Sequence, residues 1–251
     1  MTEDGFVDRV LYEVEDKRPL DVPRKKFLID LAHEVFSRLF SLPPDGLRGV
    51  VEAVGGAAGA GDLQAWFADP AWQAEIAGTT LEGALPEARG DFLLLADTNM
   101  SQGKANADLV RLVNYKVHRQ PGGDLEATLE IDYRNEGSKS WRNPYYNGFL
   151  RIYVPKGAQL LDDGEAESTV ADAPDGPYQV ISLRIFVPPR DDNRVSLTYR
   201  LPRGLARDGR YHLTWLRQAG TPADRLTATV GTSTYVADPA QRRLEAAAEL
   251  P

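Results

Sequence analysis

The polar residues that follow the apolar run 92–96 are the first place where this sequence could bind a ligand. Asp97, Asn99, Lys104 and Asn106 surround a predicted loop that comes directly after a predicted buried strand. Carboxylate and amide groups can hydrogen-bond a polar ligand, and the Lys104 ammonium can pair with an anion. Loops held by a rigid scaffold often carry such sites. The alternative, which these residue types favour, is a set of turn caps in which Asn and Asp bond to nearby backbone.

An aromatic-rich stretch is the second candidate for ligand binding, and its members are Trp141, Asn143, Tyr145 and Tyr146. Aromatic faces can stack on a sugar ring while neighbouring amides bind its hydroxyl groups. The alternative, favoured on the residue types alone, is that these rings close the open end of a β-sandwich.

No pattern of residues points to catalysis, to a metal or to a cofactor. The three histidines, His33, His118 and His212, lack metal-ligand spacing. The absence of cysteine excludes disulfides, thiolate metal sites and a cysteine nucleophile. No G-x-S-x-G elbow, P-loop or dinucleotide fingerprint occurs. We therefore predict no catalytic residue, no metal ligand and no cofactor, and we favour a non-enzymatic role over an enzymatic one.

The charge balance argues against a nucleic-acid partner. Lys and Arg total 29 and Asp and Glu total 37, so the formal net charge is −8, whereas a phosphate-backbone binder needs a basic face. No run approaches the roughly 18 apolar residues of a membrane span. The N-terminus Met-Thr-Glu-Asp-Gly lacks the zones of a signal peptide. Either the protein is cytosolic or the chain is a fragment whose export segment lies upstream.

The elements that must position these residues change character along the chain. Residues 1–90 are predicted to be mainly helical and to complete an α/β domain whose bulk lies upstream. Apolar residues recur there every fourth position, the spacing of one helix face, at Phe27, Leu31, Val35 and Leu39. Residues 91–108 are predicted to form a buried strand and a polar connecting loop.

From residue 109 to residue 232, apolar and polar residues alternate in short runs separated by turn residues. This pattern predicts an immunoglobulin-like antiparallel β-sandwich, with a closed barrel as the alternative. Residues 233–251 are expected to form a charged, Ala-rich tail, either a frayed helix or disordered. The predicted fold class is therefore α+β, with an N-terminal helical or α/β segment followed by the sandwich.

Three segments carry a resemblance to a known family. They are Asp91-Phe-Leu-Leu-Leu-Ala-Asp97, Val113-Asn-Tyr-Lys-Val117 and Tyr145-Tyr-Asn-Gly-Phe-Leu-Arg-Ile-Tyr-Val-Pro-Lys-Gly157. Together they resemble the C-terminal portion of the bacterial "domain of unknown function 4012" family. The segments 24–32 and 63–73 resemble it more loosely, so that the similarity covers roughly residues 20–165. Members of that family are typically longer and membrane-anchored near the N-terminus, with their bulk outside the cytoplasmic membrane. The resemblance implies a cell-envelope location and no established activity.

The function that we predict is a non-enzymatic, envelope-associated binding or scaffold module. The alternative is the C-terminal part of an enzyme that acts on cell-wall or exopolysaccharide precursors, with its catalytic domain upstream. The expected partner is an envelope polysaccharide or another envelope protein, and no nucleic acid. The expected location is the extracellular face of the bacterial envelope, with the membrane anchor upstream in the full-length protein.

Overall fold

The structure is a computed structural model that describes residues 3–16, 26–164, 170–171, 174–207, 209–221, 224–237 and 242–250. These residues belong to two compact units, residues 1–56 and residues 57–251. Each unit is described below by itself.

The N-terminal part of the chain is helical, as the sequence predicts. Its elements are α1 (Glu3–Leu11), a π-helical turn (Tyr12–Asp16), α2 (Lys26–Phe40), α3 (Pro44–Ala60) and α4 (Pro70–Ile76). Asp69 caps α4, since its carboxylate accepts from the Ala71 N–H at 2.8 Å. None of the helices in the described ranges is both long and apolar enough to cross a membrane.

Apart from the end of α3 and from α4, the second unit is built mainly from strands. Within the described residues these are β1 (Asp91–Asn99), β2 (Leu109–Arg119), β3 (Leu125–Asn135), β4 (Tyr146–Pro155), β5 (Gln159–Asp162), β6 (Val170–Ala171), β7 (Tyr178–Val187), β8 (Asp192–Arg200), β9 (Ala206–Arg207), β10 (Arg210–Leu216), β11 (Arg225–Val230), β12 (Ser233–Val236) and β13 (Arg243–Glu249). A 3₁₀ turn, Ala105–Asp108, leads into β2.

The strands form two sheets that share one core. The first sheet has the order β13-β10-β1-β4-β7-β6, with β9 added beside β10, and the second has the order β12-β11-β2-β3-β8-β5. Inward-facing residues alternate with outward-facing ones, most regularly on β3, where the buried residues are Leu125, Ala127, Leu129, Ile131 and Tyr133. The prediction of N-terminal helices followed by a β-sandwich is therefore confirmed.

The prediction that the sandwich is purely antiparallel is wrong. β1 pairs with β10 in parallel, and β2 pairs with β11 in parallel. In each pair the second strand lies far from the first along the chain: β10 follows β1, and β11 follows β2, only after several other strands. Only neighbouring strands that are joined by a short turn must be antiparallel, so such distant pairs can be parallel. Each sheet is therefore mixed.

β1 is buried on both faces, which explains its continuous apolar run. Leu93 and Leu95 face the core between the sheets. Phe92 and Leu94 point to the other side of the sheet, where they pack with Tyr178. The Phe92 and Tyr178 rings lie 4.1 Å apart between centroids. β1 is thus a central strand, which fixes the position of any polar residue at its ends.

The described residues of the predicted C-terminal tail, 233–251, form two strands instead, β12 and β13. β13 pairs antiparallel with β10 over its whole length, from Arg210↔Glu249 to Leu216↔Arg243. The sequence Glu245-Ala-Ala-Ala-Glu249 has high helix propensity, but the edge of β10 offers it a hydrogen-bonding partner. Ala246 and Ala248 face inward and are buried, whereas Ala247 is exposed. Tertiary pairing therefore overrides local propensity in this segment.

Substitutions at two adjacent alanines test whether residues 243–249 form a strand with one buried face. Ala246→Glu should lower the free energy of unfolding by about 3–5 kcal/mol, because it buries a carboxylate with no cation beside it. Ala247→Glu, a matched control one residue away, should change it by less than about 0.5 kcal/mol. Urea unfolding measures both. Equal effects of the two substitutions would mean that the segment is not a strand with one buried face.

Candidate functional site

The inward-facing row of β1 has a carboxylate at each end. Residues 91, 93, 95 and 97 point into the space between the sheets because side chains alternate along a strand. The row therefore reads Asp91, Leu93, Leu95, Asp97. A carboxylate in such a position loses its hydration and must find partners inside the protein. Two different polar clusters supply them.

The first cluster joins the two sheets through one arginine. The Arg111 guanidinium, on β2, donates to both oxygens of Asp224, from Nε at 2.6 Å and from Nη2 at 2.8 Å. Its Nη1 reaches Asp97 Oδ2 at 3.2 Å. The side chains of Arg111 and Asp97 are only 5% and 7% exposed. We name Asp97, Arg111 and Asp224 the ionic cluster.

Two tyrosines complete the coordination of Asp97. The Tyr133 hydroxyl donates to Asp97 Oδ2 at 2.9 Å, and the Tyr146 hydroxyl donates to Oδ1. Tyr146 can reach this position because Gly148, two residues on along β4, has no side chain. A Cβ at Gly148 would lie 2.5 Å from Cε1 of the Tyr146 ring. The glycine thus makes the space in which the ring lies.

The charges of the ionic cluster are mutually dependent. Burial by itself lowers the pKa of Arg111, but the negative charges around it, led by Asp224, outweigh burial and raise that pKa. Burial raises the pKa of Asp224, and Arg111 acts in the opposite direction. Burial and the neighbouring Asp97 also raise the pKa of Tyr146. The bidentate contact between Arg111 and Asp224 is the geometry of an ionised pair.

A pocket of about 280 Å³ opens over the ionic cluster, close to the size range of small-molecule sites. It lies where β1 and β10 end and β2 begins, beside the chain segment that connects β10 to β11. Besides the ionic cluster, its polar wall includes Asn99, Asn106, Tyr146, Gln218, Thr221 and Arg225. The pocket therefore combines a fixed, charged floor with amide, hydroxyl and guanidinium groups.

Four of the eight predicted site residues line this pocket: Asp97, Asn99, Asn106 and Tyr146. The Asn99 amide donates to Asn106 Oδ1 at 3.3 Å, and its Oδ1 accepts from the Ser101 N–H at 2.9 Å. Asn99 therefore has the turn-capping role that the sequence favoured, and it also faces the pocket. Lys104 is outside the wall, and its backbone N–H donates to the Arg142 carbonyl at 2.5 Å.

The two predicted regions meet at Gly103. A Cβ there would lie 2.5 Å from Cδ of Pro144 and 2.6 Å from the carbonyl oxygen of Arg142. Only glycine allows the loop after β1 to lie so close to the segment before β4. The sequence treated these regions as separate candidates, and the structure places them side by side.

The remaining three predicted residues have other roles. Asn143 is buried, and its amide nitrogen donates to Asn135 Oδ1 at 2.7 Å and to Asp108 Oδ2 at 2.8 Å. Trp141 and Tyr145 are exposed, 46% and 41% respectively, and neither lines the pocket. Asn143 thus fixes the segment, whereas the two rings lie on the surface.

Several pocket residues are missing from the sequence predictions: Arg111, Thr221, Gln218, Asp224 and Arg225. Arg111 could have been found from the sequence, because it occupies an inward-facing position in the alternation of β2 and a buried arginine needs a buried partner. Asp224 could not have been found in this way, since it lies 113 residues from Arg111 in the sequence. Gln218 brackets the backbone of Asp97, accepting its N–H at 2.7 Å and donating to its carbonyl at 2.9 Å.

The second cluster surrounds Asp91, at the other end of the β1 row. Asp91 Oδ2 accepts from the hydroxyls of Tyr115, at 2.5 Å, and Tyr211, and Oδ1 accepts from the Phe92 N–H at 2.8 Å. Tyr199 donates to the Tyr115 hydroxyl at 3.1 Å. Burial raises the pKa of Asp91 to about 6, although the three hydrogen bonds lower it. At Asp91, therefore, tyrosine hydroxyls and one backbone N–H are the hydrogen-bond donors that the structure shows, whereas Asp97 also pairs with the Arg111 guanidinium.

No family model matches the chain, and no curated protein matches its sequence significantly. One matching solved structure is the crystal structure of a "putative nutrient binding protein" from Legionella pneumophila, at 12% identity and a TM-score of 0.33. The match covers 55% of this chain and 54% of that chain, so it spans about half of each. We draw no conclusion about function from a likeness of this size.

Removal of Arg111 should be severely destabilising. Arg111→Met should cost about 3–5 kcal/mol in the free energy of unfolding, because it leaves two carboxylates buried without a cation. The triple variant D97N/R111M/D224N should recover most of that loss, since its groups are neutral. Arg194→Met, at an exposed pair with Asp132, is the matched control and should have little effect. Denaturant unfolding would contradict this account if Arg111→Met were as mild as Arg194→Met.

Asp91 should make stability depend on pH. Its folded pKa of about 6 lies above the ordinary value of 3.8, so the native state binds the proton more tightly than the unfolded chain. This contribution is complete below about pH 4 and is lost as the pH rises through 6, with a size of roughly 3 kcal/mol. As the pH rises from 4 to 7, the unfolding free energy of the wild type should therefore fall relative to that of Asp91→Asn. If the unfolding free energies of the two proteins changed in parallel between pH 4 and pH 7, this role of Asp91 would be refuted.

Proposed function

We propose that this chain is a non-enzymatic binding or scaffold module, and that the pocket over the ionic cluster is its ligand site. The observation that carries the proposal is the construction of the pocket. Its floor joins both sheets through buried charges, so its walls are held in place before any ligand arrives. Preorganised polar groups of this kind lower the cost of ordering a site on binding.

The hydrogen bonding of the floor supports binding over catalysis. Both oxygens of Asp224 accept hydrogen bonds from Arg111, and the oxygens of Asp97 accept from Arg111 and from two tyrosines. A general base needs an oxygen within reach of the substrate's proton. Asp97 is instead committed to contacts that join the two sheets, and Asp224 is committed to the arginine that makes one of them.

The rim of the pocket indicates the chemistry of the ligand. Asn106 and Arg225 are exposed, and the Arg225 guanidinium makes no hydrogen bond or ion pair with any residue that the structure describes. An amide offers a donor and an acceptor, and a guanidinium offers several donors. This combination suits a hydroxylated or amide-bearing ligand that also carries acceptor oxygens, such as a sugar unit of an envelope polysaccharide.

The cellular context of the proposal comes from the family resemblance. Similarity to the "domain of unknown function 4012" family supports a place on the extracellular face of the bacterial envelope, with an anchor upstream in the full-length protein. The alternating strands support the immunoglobulin-like classification of the sandwich, and the helical residues 1–90 are proposed to complete an α/β domain that lies upstream. An envelope protein is the other partner that fits this context.

An NMR titration of the full chain tests the pocket. Glucose, N-acetylglucosamine and glucuronate serve as probes, and the amide resonances of Asn106 and Gly220 report on the site. At least one probe should shift them saturably. Asn106→Ala should weaken that binding about fivefold, the effect of one lost hydrogen bond.

Trp141→Ala is the control, since this exposed ring lies outside the pocket. It should leave the affinity unchanged. If Trp141→Ala weakened binding and Asn106→Ala did not, the sugar would bind the aromatic surface and the assignment of the pocket would be wrong. No shift with any of the three sugars would reject the sugar-binding proposal.

A further inference from the structure

A second cavity, of about 340 Å³, lies at the far end of β2 from the ionic cluster. Its wall includes two arginines, Arg119 and Arg203, one carboxylate, Asp124, and three glycines, Gly122, Gly123 and Gly204. These residues come from the β2–β3 turn and from the segment after β8. The cavity is separate from the proposed ligand site.

Positive charge is concentrated here in a chain whose formal net charge is −8. Arg200 and Arg203 converge on Asp124, and Arg119 lines the same cavity as that carboxylate. Arg203 Nε donates to Asp124 Oδ1 at 3.1 Å, and Arg200 Nε lies 3.7 Å from Oδ2. The nearby Glu126 accepts from Gln120 at 2.5 Å. One carboxylate therefore pairs with two guanidinium groups, and the third, that of Arg119, lies on the same cavity wall.

Two of these guanidinium groups have unused donor capacity. Arg200 Nε is buried and has no hydrogen-bond acceptor among the described residues. Arg119 has only a 3.5 Å contact from Nη1 to the Gly123 carbonyl within the same part of the chain. A buried N–H without an acceptor is costly, and native proteins usually supply a partner. Arg119 lines the cavity, and Arg200 Nε lies 3.7 Å from Oδ2 of Asp124, which lines it too.

The glycines leave the backbone around the cavity open. A Cβ at Gly122, Gly123 or Gly204 would meet nothing within 4 Å. Gly123 and Gly204 have φ of +86° and +87°, which residues with side chains rarely adopt. A ligand can therefore approach the turn closely, as oxyanions do at other glycine-rich turns.

We propose that this cavity is an oxyanion site that takes a phosphate group, either free or as a monoester on a larger molecule. Arg119 and Arg203, the two arginines of the cavity wall, would contact the oxygens. Asp124 is the internal competitor, because it already occupies two of the guanidinium groups. This competition gives the proposal an unusual signature: removing the acid should strengthen binding.

The test titrates the full chain with inorganic phosphate and with glycerol 3-phosphate at constant ionic strength, followed by the amide shifts of Gly122 and Gly123. The shifts should saturate. Arg119→Gln and Arg203→Gln should each weaken binding about threefold, and Asp124→Asn should tighten it by a similar factor. Tighter binding of the ester would assign the phosphate to a larger ligand, and equal binding would assign it to the free ion.

Arg194→Gln is the matched control, because Arg194 is an exposed arginine on the same strand as Arg200, β8, and pairs with Asp132 at its other end. It should leave the titration unchanged. Shifts that rise linearly, that sodium chloride reproduces, or that Arg194→Gln reduces as much as Arg119→Gln would show only general screening of surface charge. Weaker binding in a folded Asp124→Asn variant would also overturn the proposal.

Discussion

The burial of two carboxylates on the inward row of β1 is the constraint on which the rest of this structure depends. β1 is covered on both faces, so neither Asp91 nor Asp97 can keep a full hydration shell. Each must be neutralised or hydrogen-bonded where it stands. The neighbouring strands provide the groups that do this, which ties polar residues of both sheets to the central strand.

The two ends of the row meet this constraint in chemically different ways. At Asp97 a buried arginine supplies a full positive charge and links the two sheets to the β10–β11 connection. At Asp91 tyrosine hydroxyls supply dipoles only, so burial still raises the pKa of the acid. Asp97 is therefore part of a buried ion pair that connects the sheets, whereas Asp91 holds a proton more readily than an ordinary aspartate. The pocket lies at the ionic end because strand ends and a long connection leave space there.

Much of the architecture could be predicted from the sequence because it rests on local patterns. The alternation in β3 and the apolar run in β1 each have a direct structural cause. The pairing of β13 with β10 could not be predicted, since the alanines of that strand favour a helix when considered alone. Asp97 and Asn106 were identifiable as polar residues that follow the apolar run 92–96, although β1 in fact extends to Asn99. Asp224 was not, because its partner is distant in sequence and near only in the folded chain.

The central claim is that Arg111 is locked between two carboxylates in the interior. Hydrogen exchange of arginine Nε–H groups, followed by NMR, tests it most directly. The Arg111 Nε–H should exchange far more slowly than that of Arg194, whose side chain is 68% exposed, because a buried, bonded proton exchanges only when the structure opens. Exchange of Arg111 as fast as that of Arg194 would contradict the account.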